Sequence, residues 1–132
     1  MANFRNLFLR FSKQIETTDR HSDDQLKTHY YKANFNQLFG SVEKIFREDA
    51  DCRILTVSKE HGEIAVEVNK PIHCFLVATV VSVKPMVAAV DFNISTERFS
   101  ITGTYPVLRK RIGSYYDKLK QLHTFVGTGK NS

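Results

Sequence analysis

Two cysteines, three prolines and no long apolar run describe this 132-residue chain by what it has little of. A helix that crosses a bilayer needs roughly 18–20 consecutive apolar residues, and no such run occurs. The first residues, MANFRNLFLRFSK, carry arginine inside their apolar stretch and offer no small-residue cleavage site. They do not read as a secretory signal. Without one, Cys52 and Cys74 are expected as reduced thiols in the cytoplasm.

Catalytic signatures are equally scarce. Cys52, Cys74, His21, His29, His61, His73 and His123 include no Cys-x-x-Cys or His-x-x-x-His spacing, so no metal site is expected. His73 and Cys74 are adjacent, which on a strand sends their side chains to opposite faces. They cannot chelate one ion or act as nucleophile and base. Gly-x-Ser-x-Gly is absent, and GTGK at 127–130 has no strand before it and no helix after it. Paired carboxylates are the remaining enzymatic route. Glu63 and Glu67 share a strand face that reads as solvated, and Asp49 and Asp51 fall in a connection. No nucleophile, base and orienting group can be placed together, so the chain reads as non-enzymatic and without a cofactor.

What is present is a sequence of ordinary globular composition, 42% hydrophobic and 25% charged, long enough for one domain with a real core. Net charge is +5, which favours acidic partners. The basic residues are scattered rather than blocked, so solubility alone is preferred to a specific polyanion role as the account of that charge.

The chain divides into an N-terminal amphipathic arm and polar linker (1–24), one domain (25–123) and a flexible tail (124–132). In the arm, Phe4, Leu7, Phe8 and Phe11 recur at helical spacing, with Arg5, Arg10 and Lys13 elsewhere. QLKTHYYKA (25–33) reads as a first strand, and Asn34 suits the N-cap of a helix carrying Phe35, Leu38, Phe39, Val42, Ile45 and Phe46. Acidic residues sit poorly at a helix C-terminus, so REDAD (47–51) should turn away into solvent. CRILTVSKE and EIAVEVN flank His61–Gly62 as a hairpin. HCFLVATVVSVKP (73–85) and MVAAVDFNISTE (86–97) read as a second strand pair turning at Lys84–Pro85. After a loop, Leu108, Ile112, Tyr115, Leu119 and Leu122 stripe a last helix.

The fold expected is therefore an α+β two-layer sandwich. Its mainly antiparallel sheet runs in the order β-α-β-β-β-β-α, with the N-terminal helical arm added. Phe39 and Ile112 should lie deep in its core. YYKANFNQLFGSVEKIF, CRILTVSKEHGEIAVEV, VDFNISTE and LRKRIGSYYDKL together resemble a family of small bacterial proteins classed as an uncharacterised domain of unknown function. The resemblance spans about residues 28–122. The element order is also similar to the TATA-binding-protein-like folds and to the helix-grip folds that hold lipids. Neither analogy implies an activity.

Three surfaces remain as binding candidates. Phe75, Val77, Val81 and Val83 occupy the second face of a strand whose first face, Cys74, Leu76, Ala78 and Val80, belongs to the core. That second face needs a cover. The N-terminal arm, a homodimer or protein partner, and a small apolar ligand are the alternatives. Docking of the arm is preferred to its binding a membrane surface. Arg109, Lys110, Arg111 and Lys118 on the last helix are the polyanion candidates. Consecutive basic residues spread around a helix, however, and Tyr115 belongs to its apolar stripe, so a solvated face outweighs a nucleic-acid interface. The reading is a binding or protein-interaction module. A carrier of an apolar or amphipathic ligand and a peripheral membrane or polyanion binder are its alternatives.

Overall fold

The structure, a computed structural model, describes residues 14–16, 26–96 and 104–128. The N-terminal arm (1–13) and most of the linker lie outside these residues. The described elements are β1 (Gln14–Glu16), β2 (His29–Lys32), α1 (Phe35–Glu48), β3 (Cys52–Ser58), β4 (Glu63–Val68), β5 (Cys74–Lys84), β6 (Val87–Ser95), α2 (Thr104–Leu122) and β7 (Thr124–Thr128).

α1 starts where a complete capping box allows it to. The Asn34 side chain accepts from the Gln37 backbone N–H at 2.8 Å, and the Gln37 side chain accepts from the Asn34 N–H at 3.1 Å. Leu38, Phe39, Val42, Ile45 and Phe46 then recur on one buried face. β3 and β4 close across the turn containing His61 and Gly62, where Gly62 takes φ +69°. Its carbonyl accepts from the Val80 N–H at 2.8 Å, which ties this turn to β5.

All strand pairs are antiparallel, in the order β3-β4-β5-β6-β2-β7. β1 pairs with β6 at Ser95, Ile94 and Asn93, while β2 pairs with it at Val90, Ala89 and Ala88. The two short strands thus share one edge of β6 end to end. Ile64, Val66, Val68, Cys74, Leu76, Ala78, Val90, Phe92 and Ile94 form the buried sheet face under the helices. α1 lies against β3, β5 and β6, and α2 packs beside it with contacts to β1 and β7. Phe92 meets Tyr115 and Tyr116 at centroid distances of 5.7 and 5.0 Å, and Phe46 meets Tyr115 edge-on at 5.2 Å. Phe39 and Ile112 are both buried, as their periodicity predicts.

The α+β class, the antiparallel sheet and the two helices agree with the sequence reading. Four local expectations need correction. Residues 124–128 are a strand paired with β2, not a fraying tail; Phe125 packs on Tyr31 and His29 at 5.7 and 5.1 Å, which holds this segment in place. Residues 14–16 of the expected linker pair with the part of β6 that β2 leaves open. Leu122 closes no stripe and is half exposed. Asp49 turns inward, as described below.

Candidate functional site

The strand period places His29 and Tyr31 of β2 on the face beneath α2. His29 is only 4% exposed. Its ring stacks on Tyr116 at 3.5 Å with an interplanar angle of 9°, and Phe125 lies 5.1 Å away, tilted. These contacts fix the imidazole plane. The Tyr31 hydroxyl lies 3.5 Å from His29 Nδ1, while Nε2 is buried and has no hydrogen-bond partner among the described residues. Burial, helped by the Lys120 charge, pulls the His29 pKa down to about 4, so the ring is neutral at pH 7. Burial likewise raises the Tyr31 phenol above its ordinary range.

His29 lines an open groove of about 550 Å³, of small-molecule size. The other described lining residues come from α2: Pro106, Arg109, Lys110, Gly113, Ser114, Tyr116, Asp117 and Lys120. Steps of three and four residues put most of these positions on one side of the helix. Tyr116 is buried and anchored by its hydroxyl, which donates to the Val90 carbonyl at 3.0 Å. Lys120 lies over the Phe125 ring, its Nζ 4.5 Å from the centroid. Among the described residues, the groove lining includes the cations Arg109, Lys110 and Lys120 and the carboxylate of Asp117.

A second polar cluster lies on another side of α2. Asp49, the C-cap of α1, accepts from Arg111 Nη1 at 3.1 Å, the Tyr115 hydroxyl at 3.1 Å and the Cys52 thiol at 3.3 Å. Arg111 also donates to the Tyr115 oxygen at 2.9 Å and to the Lys70 carbonyl at 2.5 Å. Burial works to raise the Asp49 pKa. The Asp51 backbone N–H, the Cys52 thiol, Arg111 and Tyr115 outweigh it and hold the carboxyl below its ordinary value. Burial pushes the Cys52 thiol up to about 11 and the Cys74 thiol up to about 12, so neither is a ready nucleophile at neutral pH. The cluster ties α2 to the junction of α1 and β3.

The structure separates the polyanion candidates. Arg109 and Lys110 line the groove. Arg111 is inside the Asp49 cluster with its side chain 13% exposed, and Lys118 is exposed but outside the groove lining. A run of basic residues is split in this way because successive helical positions differ by about 100°. The apolar candidates share one strand face with unequal exposure. Phe75 and Val77 are half-buried, whereas Val81 and Val83 are each 50% exposed near the end of the β5–β6 hairpin. Glu67, on the β4 face expected to be solvated, pairs with Arg53 at 2.7 Å and His73 at 2.6 Å. Among the described residues, no three His, Cys, Asp or Glu side chains are grouped to hold a metal.

His29, Tyr116 and Lys120 are groove residues that the sequence reading did not select. HYYK carries a partial signal, because alternation puts His29 beside Tyr31 on one face. The spacing of Arg109, Gly113, Asp117 and Lys120 carries another. No family model, curated protein or solved structure matches this chain.

Proposed function

We propose that this chain is a non-enzymatic binding module of the cytoplasm, and that the groove between α2 and His29 is its working surface. One observation carries the reading: a buried imidazole, His29, stacked on Tyr116, lines a small-molecule-sized groove together with side chains of α2. Arg109, Lys110 and Lys120 add charge selectivity.

A carrier function between helices and sheet has less support, because Phe46, Phe92, Tyr115 and Tyr116 occupy that layer with ring contacts. Protein contact through the β5–β6 hairpin is the second reading. Its support is the exposure of Val81, Val83 and Met86, at 50%, 50% and 48%. Amide-resolved NMR with a mixture of small polar fragments distinguishes the two. Shifts at His29, Lys110, Gly113, Ser114 and Lys120 are expected. Shifts confined to residues 81–86, or concentration-dependent broadening there, would overturn the groove reading in favour of the hairpin.

A further inference from the structure

We propose that the sheet face turned away from the helices is a docking surface, and that its occupant is the chain's own N-terminal segment, residues 1–13. The strand register defines this face. Ser95, Phe75 and Glu67 form one row across β6, β5 and β4, and Asn93, Val77 and Ala65 form the next of that face. These rows alternate with the core residues Ile94, Leu76 and Val66, so their side chains point away from the helices. Ala65 and Ala89 are nevertheless buried, although they stand outside the core cluster that both helices join, and Ser95 is 0% exposed. Exposure along β5 also has a direction. Phe75 and Val77 are half-buried, whereas Val81 and Val83 are each 50% exposed. The better covered end is the one beside β1, where the Gln14 backbone pairs with Ser95 and Ser95 with Phe75. Gln14 therefore delivers residues 1–13 to that end of the face. An unrelated partner has no reason to favour it.

Composition and reach select the same segment. Residues 17–25, TTDRHSDDQ, and 129–132, GKNS, contain no large apolar side chain. Residues 97–103 carry Phe99 and Ile101, but they join β6 to α2, which packs on the opposite face. Residues 1–13 carry Phe4, Leu7, Phe8 and Phe11 at helical spacing, an apolar stripe that matches Phe75, Val77 and Ala65. Strands about 4.8 Å apart place β4 about 14 Å from β1. A helix over residues 3–13 is about 16 Å long, enough to cross from Gln14 to Ala65. Val83 lies about 26 Å along the strand from Phe75, so the same segment leaves the hairpin end bare. Charge agrees as well. The segment holds Arg5, Arg10 and Lys13 and no acidic residue, while Glu63 and Asp91 occupy the row beside Val77.

The test is carbon-edited nuclear Overhauser spectroscopy on the full chain. Cross-peaks from the rings of Phe4, Phe8 and Phe11 to the methyls of Ala65 and Val77 are expected. In a mixture of labelled and unlabelled chains, an isotope filter should show that they arise within one molecule. A soluble paramagnetic agent then reads the cover directly, broadening the Val83 methyls strongly and those of Ala65 and Val77 weakly. Phe8→Asp should abolish the cross-peaks and bring the Val77 broadening up to that of Val83, while Phe8→Leu should preserve both. The wild-type spectrum decides the matter even where Phe8→Asp does not fold. Absence of cross-peaks between the segment and this face would overturn the proposal, as would a folded Phe8→Asp variant with unchanged methyl broadening. Cross-peaks that pass only the intermolecular filter would assign the face to a second copy of the chain and refute an internal cover. Loss of the residue 1–13 signals on adding phosphatidylglycerol vesicles, with Ala65 and Val77 open to the agent beforehand, would assign the segment to a membrane surface and refute it equally.

Discussion

Asp49→Ala is expected to be among the most damaging single changes outside the apolar core. The carboxylate accepts three side-chain hydrogen bonds, from Arg111, Tyr115 and Cys52, and a backbone bond from Asp51. The Asp49 and Arg111 side chains are 14% and 13% exposed. Removing one partner of a buried pair costs about 3–5 kcal/mol, because the other charge is left desolvated. Arg111 would keep the Lys70 carbonyl at 2.5 Å and Asp51 at 3.8 Å, so the lower end, about 3 kcal/mol, is expected. Urea unfolding followed by far-UV circular dichroism reads this as a lower midpoint at unchanged slope. The double variant Asp49→Ala with Arg111→Met should recover part of the loss, since no unpaired guanidinium remains. A loss under about 1 kcal/mol in the single variant would refute the cluster as a clamp and place it with ordinary surface ion pairs. Because the Asp49 carboxyl is depressed in the fold, its contribution is present above its ordinary value of 3.8 and is lost as pH falls through the folded one.

Three further outcomes follow from local geometry. Gly62→Ala forces an L side chain into φ +69° and drives its Cβ into the Val80 carbonyl oxygen. It should cost more than about 2 kcal/mol in thermal unfolding, and an unchanged melting point would contradict the turn geometry. Met86 holds φ +62° in the two-residue Pro85–Met86 turn, where asparagine is better tolerated. Met86→Asn should therefore raise stability by about 0.5–1 kcal/mol, and a loss in chemical denaturation would count against that strain. His29 titrates at about 4 in the fold against an ordinary 6.5, facing Lys120 across the groove and packed against Tyr31 and Tyr116. The unfolded chain binds the proton more readily, so this contribution is complete above pH 6.5 and is lost as pH falls towards 4. Its slope approaches about 1.4 kcal/mol per pH unit. His29→Phe should remove that component, and an identical pH–stability curve would contradict a buried neutral imidazole.

Much of the frame was legible in local chemistry. Asn34 with Gln37 announces the start of α1, and Leu38, Phe39, Val42, Ile45 and Phe46 mark its buried face, because capping and helical period are properties of neighbouring residues. Gly62 between two alternating runs announces the first hairpin for the same reason. Asp49 was misread because the helix dipole argues against a carboxylate at this C-cap. Arg111, 62 residues later in the chain, reverses that sign, and local sequence does not show where it arrives. β7 was missed because TFVGT is short and carries glycine; its stability comes from pairing with β2 and from Phe125 against His29. The groove was half visible. Arg109 and Lys110 stood out as basic residues, but the site depends on a histidine from a strand at the other end of the chain. Tyr116 was not placed in the apolar stripe that took Tyr115. Both are buried, since α2 packs between Phe92 on one side and His29 on the other.

The most direct test of the groove as a binding surface is the imidazole nitrogen spectrum of His29, recorded against pH with and without the mixture of small polar fragments. The account predicts a neutral ring down to about pH 4 in the free protein. It also predicts that the ring-nitrogen resonances of His29, which lines the groove, move as the polar fragments are added. A ring that titrates near its ordinary 6.5, or His29 ring signals that ignore every fragment, would contradict it.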